Sequence, residues 1–214
     1  MTLSLAVLLS GAGTNLQALL DAIAAGRLDA RVTLVLCDRL DAGGLARAEA
    51  AMIPTLALPR RDFPDRQAFD RALSAALQEA RPDWVVSAGF MRILGGPVLE
   101  AFPDRVLNIH PSLLPAFPGL RAPAQAVAAG VRLSGATLHL VDAGVDTGPI
   151  LAQAAVPVLP QDSPEALHAR IQREEHRLLP AALQAIAEGR LQQAEGRWAL
   201  DLPAPTGALC SPQL

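Results

Sequence analysis

The 214-residue sequence has no Lys and no Tyr, and it has only two Asn and two Cys. Each shortage excludes something. Cys37 and Cys210 lie far apart, so they supply neither a disulfide framework nor a metal-ligand spacing. All 18 basic residues are Arg, dispersed among 21 acidic ones, for a formal net charge of −3. That leaves no cationic surplus to neutralise nucleic-acid phosphates or an anionic membrane surface. No apolar run reaches the roughly 20 residues that span a bilayer. The apolar opening MTLSLAVLLSGAG has no basic residue before it, as a secretion signal would. The expectation is a cytoplasmic protein with neither nucleic acid nor membrane as partner.

Hydrophobic residues, mostly Ala, Leu and Val, make up 51% of the chain. This length can bury a full core, and one domain is expected over 1–202, with the Pro- and Gly-rich residues 203–214 as a flexible tail. Short β-rich runs at 3–9, 32–37, 55–58, 84–87 and 106–109 alternate with helical periods at 16–25, 44–51, 66–79 and 97–101. That alternation predicts an α/β fold, a mostly parallel twisted sheet with helices on both faces. After Gly119 come a short helix at 124–129, strand-like runs at 135–142 and 149–158, and a long helix from 164 to about 188. Asp162 or Ser163 can cap that helix, and Pro164 fits its first turn. Residues 189–201 suit a small hairpin.

The stretch VLLSGAGTNLQALL reads as strand, glycine turn and helix. Gly11 and Gly13 let the backbone turn sharply, and Thr14 and Asn15 are good cap residues. Free amides at a helix start, with the helix dipole, suit a single phosphate. Leu16 stands where a dinucleotide fingerprint has its third Gly, and without Lys there is no Walker loop. The same residues serve equally well as a capped turn.

The second Asn lies in NIHPSLLPAFPG, where Pro111 and Pro115 stop a strand. Asn108 and His110, two apart in extended chain, point to one side. Strand ends of an open parallel sheet are where ligands gather. An amide donor can hold a developing oxyanion while an imidazole moves a proton. Asp146, in DAGVDTGPI, is expected at the same sheet edge, where a carboxylate would orient the imidazole. Read singly, Asn108 and His110 are ordinary strand-end residues and Asp146 an ordinary turn residue. His139, on a strand face, and His168 and His176, on the last helix, also read as ordinary. Ser112 has no nucleophile elbow around it, and too few ligands converge for a catalytic metal.

Four motifs in order, SGAGTNLQALL, AGFMRIL, LNIHPSLLPAFPG and VDAGVDTGPILAQ, give the chain its likeness. From about residue 5 to about residue 191 it resembles the folate-dependent phosphoribosylglycinamide formyltransferases of purine biosynthesis. The resemblance implies a Rossmann-like formyltransferase fold and 10-formyltetrahydrofolate as formyl-donor cosubstrate, without a metal. It assigns Gly13, Thr14 and Asn15 to the phosphate of glycinamide ribonucleotide, and Gln172 and Glu175 to that substrate's glycinamide end. Glu174 takes the latter place if the register slips by one. Arg66 and the segment Met91, Arg92, Ile93 and Leu94 would hold the formyl-folate, with backbone groups reading the pterin; Asn108 and the stretch from Asp142 to Asp146 border the same pocket. The substrate amine would attack the formyl carbon, with Asn108 and protonated His110 stabilising the oxyanion and His110 and Asp146 managing protons. The partners would be these two small molecules, and the assembly a monomer or homodimer. Ala12, Arg121 and Pro123 depart from the residues that relatives often carry, without removing a catalytic group.

Rival readings remain at this point. A formyltetrahydrofolate deformylase would use a similar Asn, His and Asp core with water as acceptor, but it carries an extra N-terminal domain. Methionyl-tRNA formyltransferases need a further C-terminal domain and a basic surface, and a sugar-nucleotide formyltransferase must read a nucleotide. A non-catalytic folate or phosphoribosyl sensor would have no need of Asn108, His110 and Asp146 together.

Overall fold

A computed structural model describes residues 2–203. Cys210 and all but the first residue of the expected tail lie outside the described residues. The chain runs β1 (Leu3–Leu9), α1 (Thr14–Ala24), β2 (Ala30–Cys37), α2 (Gly43–Ala50), β3 (Thr55–Ala57), α3 (Arg66–Ala80), β4 (Trp84–Ser87), α4 (Gly96–Ala101) and β5 (Val106–His110). It continues with α5 (Ala122–Ala129), β6 (Leu133–Leu140), β7 (Ile150–Pro157), α6 (Pro164–Ala187), β8 (Leu191–Ala194) and β9 (Arg197–Leu200). A single 3₁₀ turn, Arg60–Asp62, precedes α3.

Seven strands form one sheet in the order β3-β2-β1-β4-β5-β6-β7. The first five are parallel, and β6 and β7 are antiparallel to their neighbours. The near-continuous apolar run of β1 follows from its central position. Alternation sends Leu5, Val7 and Leu9 to one face, where they join Leu16 and Leu19 of α1 and Leu179 and Leu183 of α6. It sends Ala6 and Leu8 to the other, against Phe69, Leu73 and Leu77 of α3. The hairpin β8–β9 forms where the sequence predicts it.

Helix ends explain several boundaries. Asp65 caps α3 by accepting from the Ala68 amide at 2.7 Å. Ser163 caps α6 at 3.2 Å, while Asp162 instead pairs with Arg170 at 2.6 Å. The start of α1 differs from expectation. Its N-cap is Gly13, in the left-handed region at φ 70°, and no side chain caps the helix. Thr14 and Asn15 are already helical, because the glycine makes the turn that a Ser or Thr cap would otherwise stabilise.

Chain order reverses between β1 and β4: β2 and β3 extend the sheet one way, β4 to β7 the other. The loops after β1 and β4 therefore diverge beyond the strand ends and leave a crevice between them. Among the described residues no helix is long and apolar enough to cross a membrane.

Candidate active site

The crevice is a cavity of about 500 Å³, lined by the loops after β1, β4, β5 and β6 and by one face of α6. Its floor is tied together by Ser10. The Ser10 amide donates to the Gly89 carbonyl at 3.1 Å, and its Oγ accepts from the Met91 amide at 2.8 Å. The loops after β1 and β4 thus hold one another in place.

Asn108 and His110 line this cavity. In the antiparallel pairing of β5 with β6, Asn108 lies opposite His139 and His110 opposite Thr137. Opposed residues on one sheet face meet side chain to side chain, and Asn108 Nδ2 lies 3.1 Å from His139 Nε2. His139 Nδ1 lies 2.8 Å from the Leu140 carbonyl, which can only accept. The hydrogen of a neutral His139 therefore sits on Nδ1, and its Nε2 lone pair accepts from Asn108.

Asp146 closes the group. The strand before it, β6, runs antiparallel, so its last residue, Leu140, lies level with Leu107, short of the β5 end. The loop that follows carries Asp146 back, and its base is pinned by the Leu140 amide on the Pro149 carbonyl. Asp146 adopts φ 55° and meets four groups. Its Oδ2 is 3.3 Å from His110 Nδ1 and accepts from the Gly119 amide at 2.8 Å. Its Oδ1 accepts from Asn108 Nδ2 at 3.3 Å and lies 3.6 Å from His139 Nε2. Burial pushes the Asp146 carboxyl up, but the adjacent His139 ring, the Gly119 amide and the His110 imidazole outweigh it, and the group stays below the usual carboxylate range. His110 is 5% exposed, with Nε2 3.0 Å from the Phe117 carbonyl and Nδ1 on Asp146. Acceptors at both ring nitrogens are satisfied together only when each nitrogen carries a hydrogen.

Gly13, Thr14 and Asn15 line the same cavity, as do Gln172 and Glu175 on α6. Asn15 Nδ2 donates to Glu175 Oε2 at 2.9 Å, while Asn15 Oδ1 is buried without a partner among the described residues. Burial pushes the Glu175 carboxyl up, opposed only by the Asn15 bond. Glu174 points elsewhere and pairs with Arg177 at 3.0 Å, so the helix register selects Glu175.

Met91, Arg92, Ile93, Leu94 and Asp142 also line the cavity. Leu94 is buried, whereas Met91 and Ile93 are exposed apolar side chains at the mouth. Arg92 Nε donates to Asp38 Oδ2 at 2.6 Å, anchoring this wall to the end of β2. Asp142 Oδ1 accepts from the Thr147 hydroxyl at 2.7 Å and the Gly144 amide at 3.0 Å, which shapes the Asp146 loop. Arg66 is the one expected site residue not brought to the cavity wall. Its guanidinium pairs with Asp70 at 3.4 Å and reaches the Ile93 carbonyl at 3.4 Å, behind the segment it was expected to assist. In the other direction, His139 and His168 line the cavity although both read as ordinary in the sequence. Strand pairing is the signal that exposes His139, and its helical spacing with Gln172 and Glu175 is the one that exposes His168.

Residues 3–183 match the family model for formyl transferase. The phosphoribosylglycinamide formyltransferase of Mycobacterium tuberculosis is 54% identical over 183 residues, covering 86% of this chain and 84% of that protein. A trifunctional purine biosynthetic protein adenosine-3 from Drosophila pseudoobscura pseudoobscura is 48% identical over 190 residues; the match takes in 88% of this chain but spans 14% of that longer protein. Among solved structures, glycinamide ribonucleotide transformylase 1 from Symbiobacterium toebii superposes with a TM-score of 0.90 at 52% identity, covering 93% of this chain and 94% of that one.

Proposed function

The chain belongs to the formyl transferase family and is a folate-dependent phosphoribosylglycinamide formyltransferase, and we propose that Asn108, His110 and Asp146 carry its transfer step. The observation that carries this reading is the convergence of Asn108, His110, His139 and the Gly119 amide on the one carboxylate of Asp146. 10-Formyltetrahydrofolate supplies the formyl group that the amine of glycinamide ribonucleotide takes up.

The residues divide the work as follows. With Nδ1–H held by Asp146, His110 keeps Nε2–H for the formyl oxygen, which takes the place of the Phe117 carbonyl. That oxygen gains negative charge as the amine adds, so a charged donor stabilises it more in the transition state than in the ground state. Asn108 is oriented by His139 through one amide hydrogen, and its second hydrogen, on the longer 3.3 Å bond to Asp146, turns to the same oxygen. Asp146, ionised at the start, takes the surplus proton of the attacking amine; His110 gives its proton to the departing folate nitrogen, and the proton on Asp146 passes to His110 to restore both. No covalent bond to the protein forms at any stage.

The amides of Gly13, Thr14 and Asn15 hold the substrate phosphate, and Gln172 and Glu175 face its glycinamide end. Met91, Arg92, Ile93, Leu94 and Asp142 hold the folate between apolar side chains and backbone groups, and Arg66 acts on that wall through the Ile93 carbonyl. The free Asn15 acceptor and the apolar mouth at Met91 and Ile93 fit such a pair of ligands, one polar and one with a flat ring.

Replacing Asn108 or His110 by Ala is expected to lower kcat on the order of a hundredfold or more, with a much smaller change in KM. Steady-state kinetics of both variants checks this. Near-normal kcat in both would overturn the role assignment.

A further inference from the structure

Arg47, on α2, lies outside every motif of the sequence and does not line the cavity. It nevertheless reaches the loop after β1 from behind. Its Nε donates to the Ala12 carbonyl at 2.8 Å and its Nη1 to Gln17 Oε1 at 3.0 Å. One turn earlier on the same helix, the Gly44 amide donates to the Gly11 carbonyl at 3.0 Å. Two successive loop carbonyls are therefore held on the side away from the cavity.

Peptide geometry converts that grip into an orientation. In a planar trans peptide the carbonyl and the following N–H point in opposite directions. Fixing the Gly11 carbonyl outward turns the Ala12 N–H inward, and fixing the Ala12 carbonyl outward does the same for the Gly13 N–H. Both residues line the cavity, and neither amide has a partner among the described residues. The approach is close: a Cβ built on Gly13 would lie 2.6 Å from Gly44 Cα, and one on Gly44 would lie 2.5 Å from a methyl of Leu9. Glycine at both positions lets α2 sit near enough for Arg47 to reach Ala12.

We propose that Arg47 is a positioning residue for the anion loop, holding the Ala12–Gly13 peptide so that its amide faces the phosphate of the ribonucleotide. The proposal rests on the reading of residues 11–15 as the phosphate site. Arg47 touches neither the substrate nor the reacting atoms; it acts through Ala12, with Gln17 fixing the angle of its guanidinium.

The test compares glycinamide ribonucleotide with its dephosphorylated ribonucleoside as formyl acceptors, using wild type, Arg47→Ala and Arg47→Lys. Each protein's melting temperature is read alongside. In Arg47→Ala the ratio of kcat/KM for ribonucleotide over ribonucleoside is expected to fall about tenfold, the size of one lost charge-assisted hydrogen bond, mostly through KM. Arg47→Lys, which keeps one donor for the Ala12 carbonyl but not the fork to Gln17, should fall between. If the Ala variant does not fold, the partial loss in the Lys variant carries the test. A ratio unchanged in the variants, with both acceptors declining in step, would make Arg47 merely structural and overturn the proposal. A wild-type enzyme that does not distinguish the two acceptors would instead overturn the phosphate-site reading, and the proposal with it.

Discussion

Two carboxyl groups face one cavity and are driven in opposite directions, Asp146 down and Glu175 up. Such divergence separates a group that must stay charged from one that need not. Asp146 is held ionised by its donors, so the stability it contributes is present above the ordinary Asp value of about 3.9 and is lost as pH falls through its lower folded value. Glu175 has the reverse sign. Its folded carboxyl prefers its proton, so the stability it contributes is complete below about 4.3 and is lost as pH rises through the higher folded value. Glu175→Gln removes that penalty while keeping the shape and a partner for Asn15. The variant is expected to melt higher than wild type near pH 7, and the gap should close below about pH 4. Its KM for glycinamide ribonucleotide should rise, because the glycinamide end loses a carboxylate. Thermal scans across pH with parallel kinetics check both halves, and a gap that does not narrow in acid would contradict the burial argument.

At the level of elements, the strand–glycine–helix unit of β1 and α1 is the most exacting piece of the site. Gly13 holds φ 70° with the backbone of Gly44 beneath it. A methyl group there meets backbone atoms, which cannot rotate aside, in a region L-residues rarely adopt. Gly13→Ala is expected to cost about 1–3 kcal/mol of stability and to raise KM for the ribonucleotide more than for the folate. Denaturant unfolding and two-substrate kinetics would show it, and a variant of native stability would contradict the close packing. Elements of this kind were legible in the sequence because their signals are local: short β-rich apolar runs marked β1 to β5, and Ser163-Pro164 marked the start of α6. The direction of β6 and β7 was not legible, since an apolar run reads the same in either sense. His139 was hidden for that reason; it enters the site only through antiparallel register opposite Asn108. Arg47 was hidden because a helix-face Arg looks solvated until its carbonyl partner is known.

For the whole molecule, the reversal of strand order between β1 and β4 is the feature from which the rest follows. It parts two loops at the sheet edge, and the crevice so formed receives both the glycine loop after β1 and the Asn108, His110 and Asp146 group. The sequence disclosed both of these groups as motifs, yet their meeting in one cavity, and the retreat of Arg66 behind Ile93, depend on packing between distant segments. The central claim is that this crevice moves a formyl group between two bound molecules. Its most direct test follows folate absorbance as the purified protein acts on 10-formyltetrahydrofolate, with and without glycinamide ribonucleotide, beside His110→Ala. The expected result is formyl loss that requires the ribonucleotide and disappears in the variant; equal loss without the ribonucleotide would make water the acceptor and contradict the transferase account.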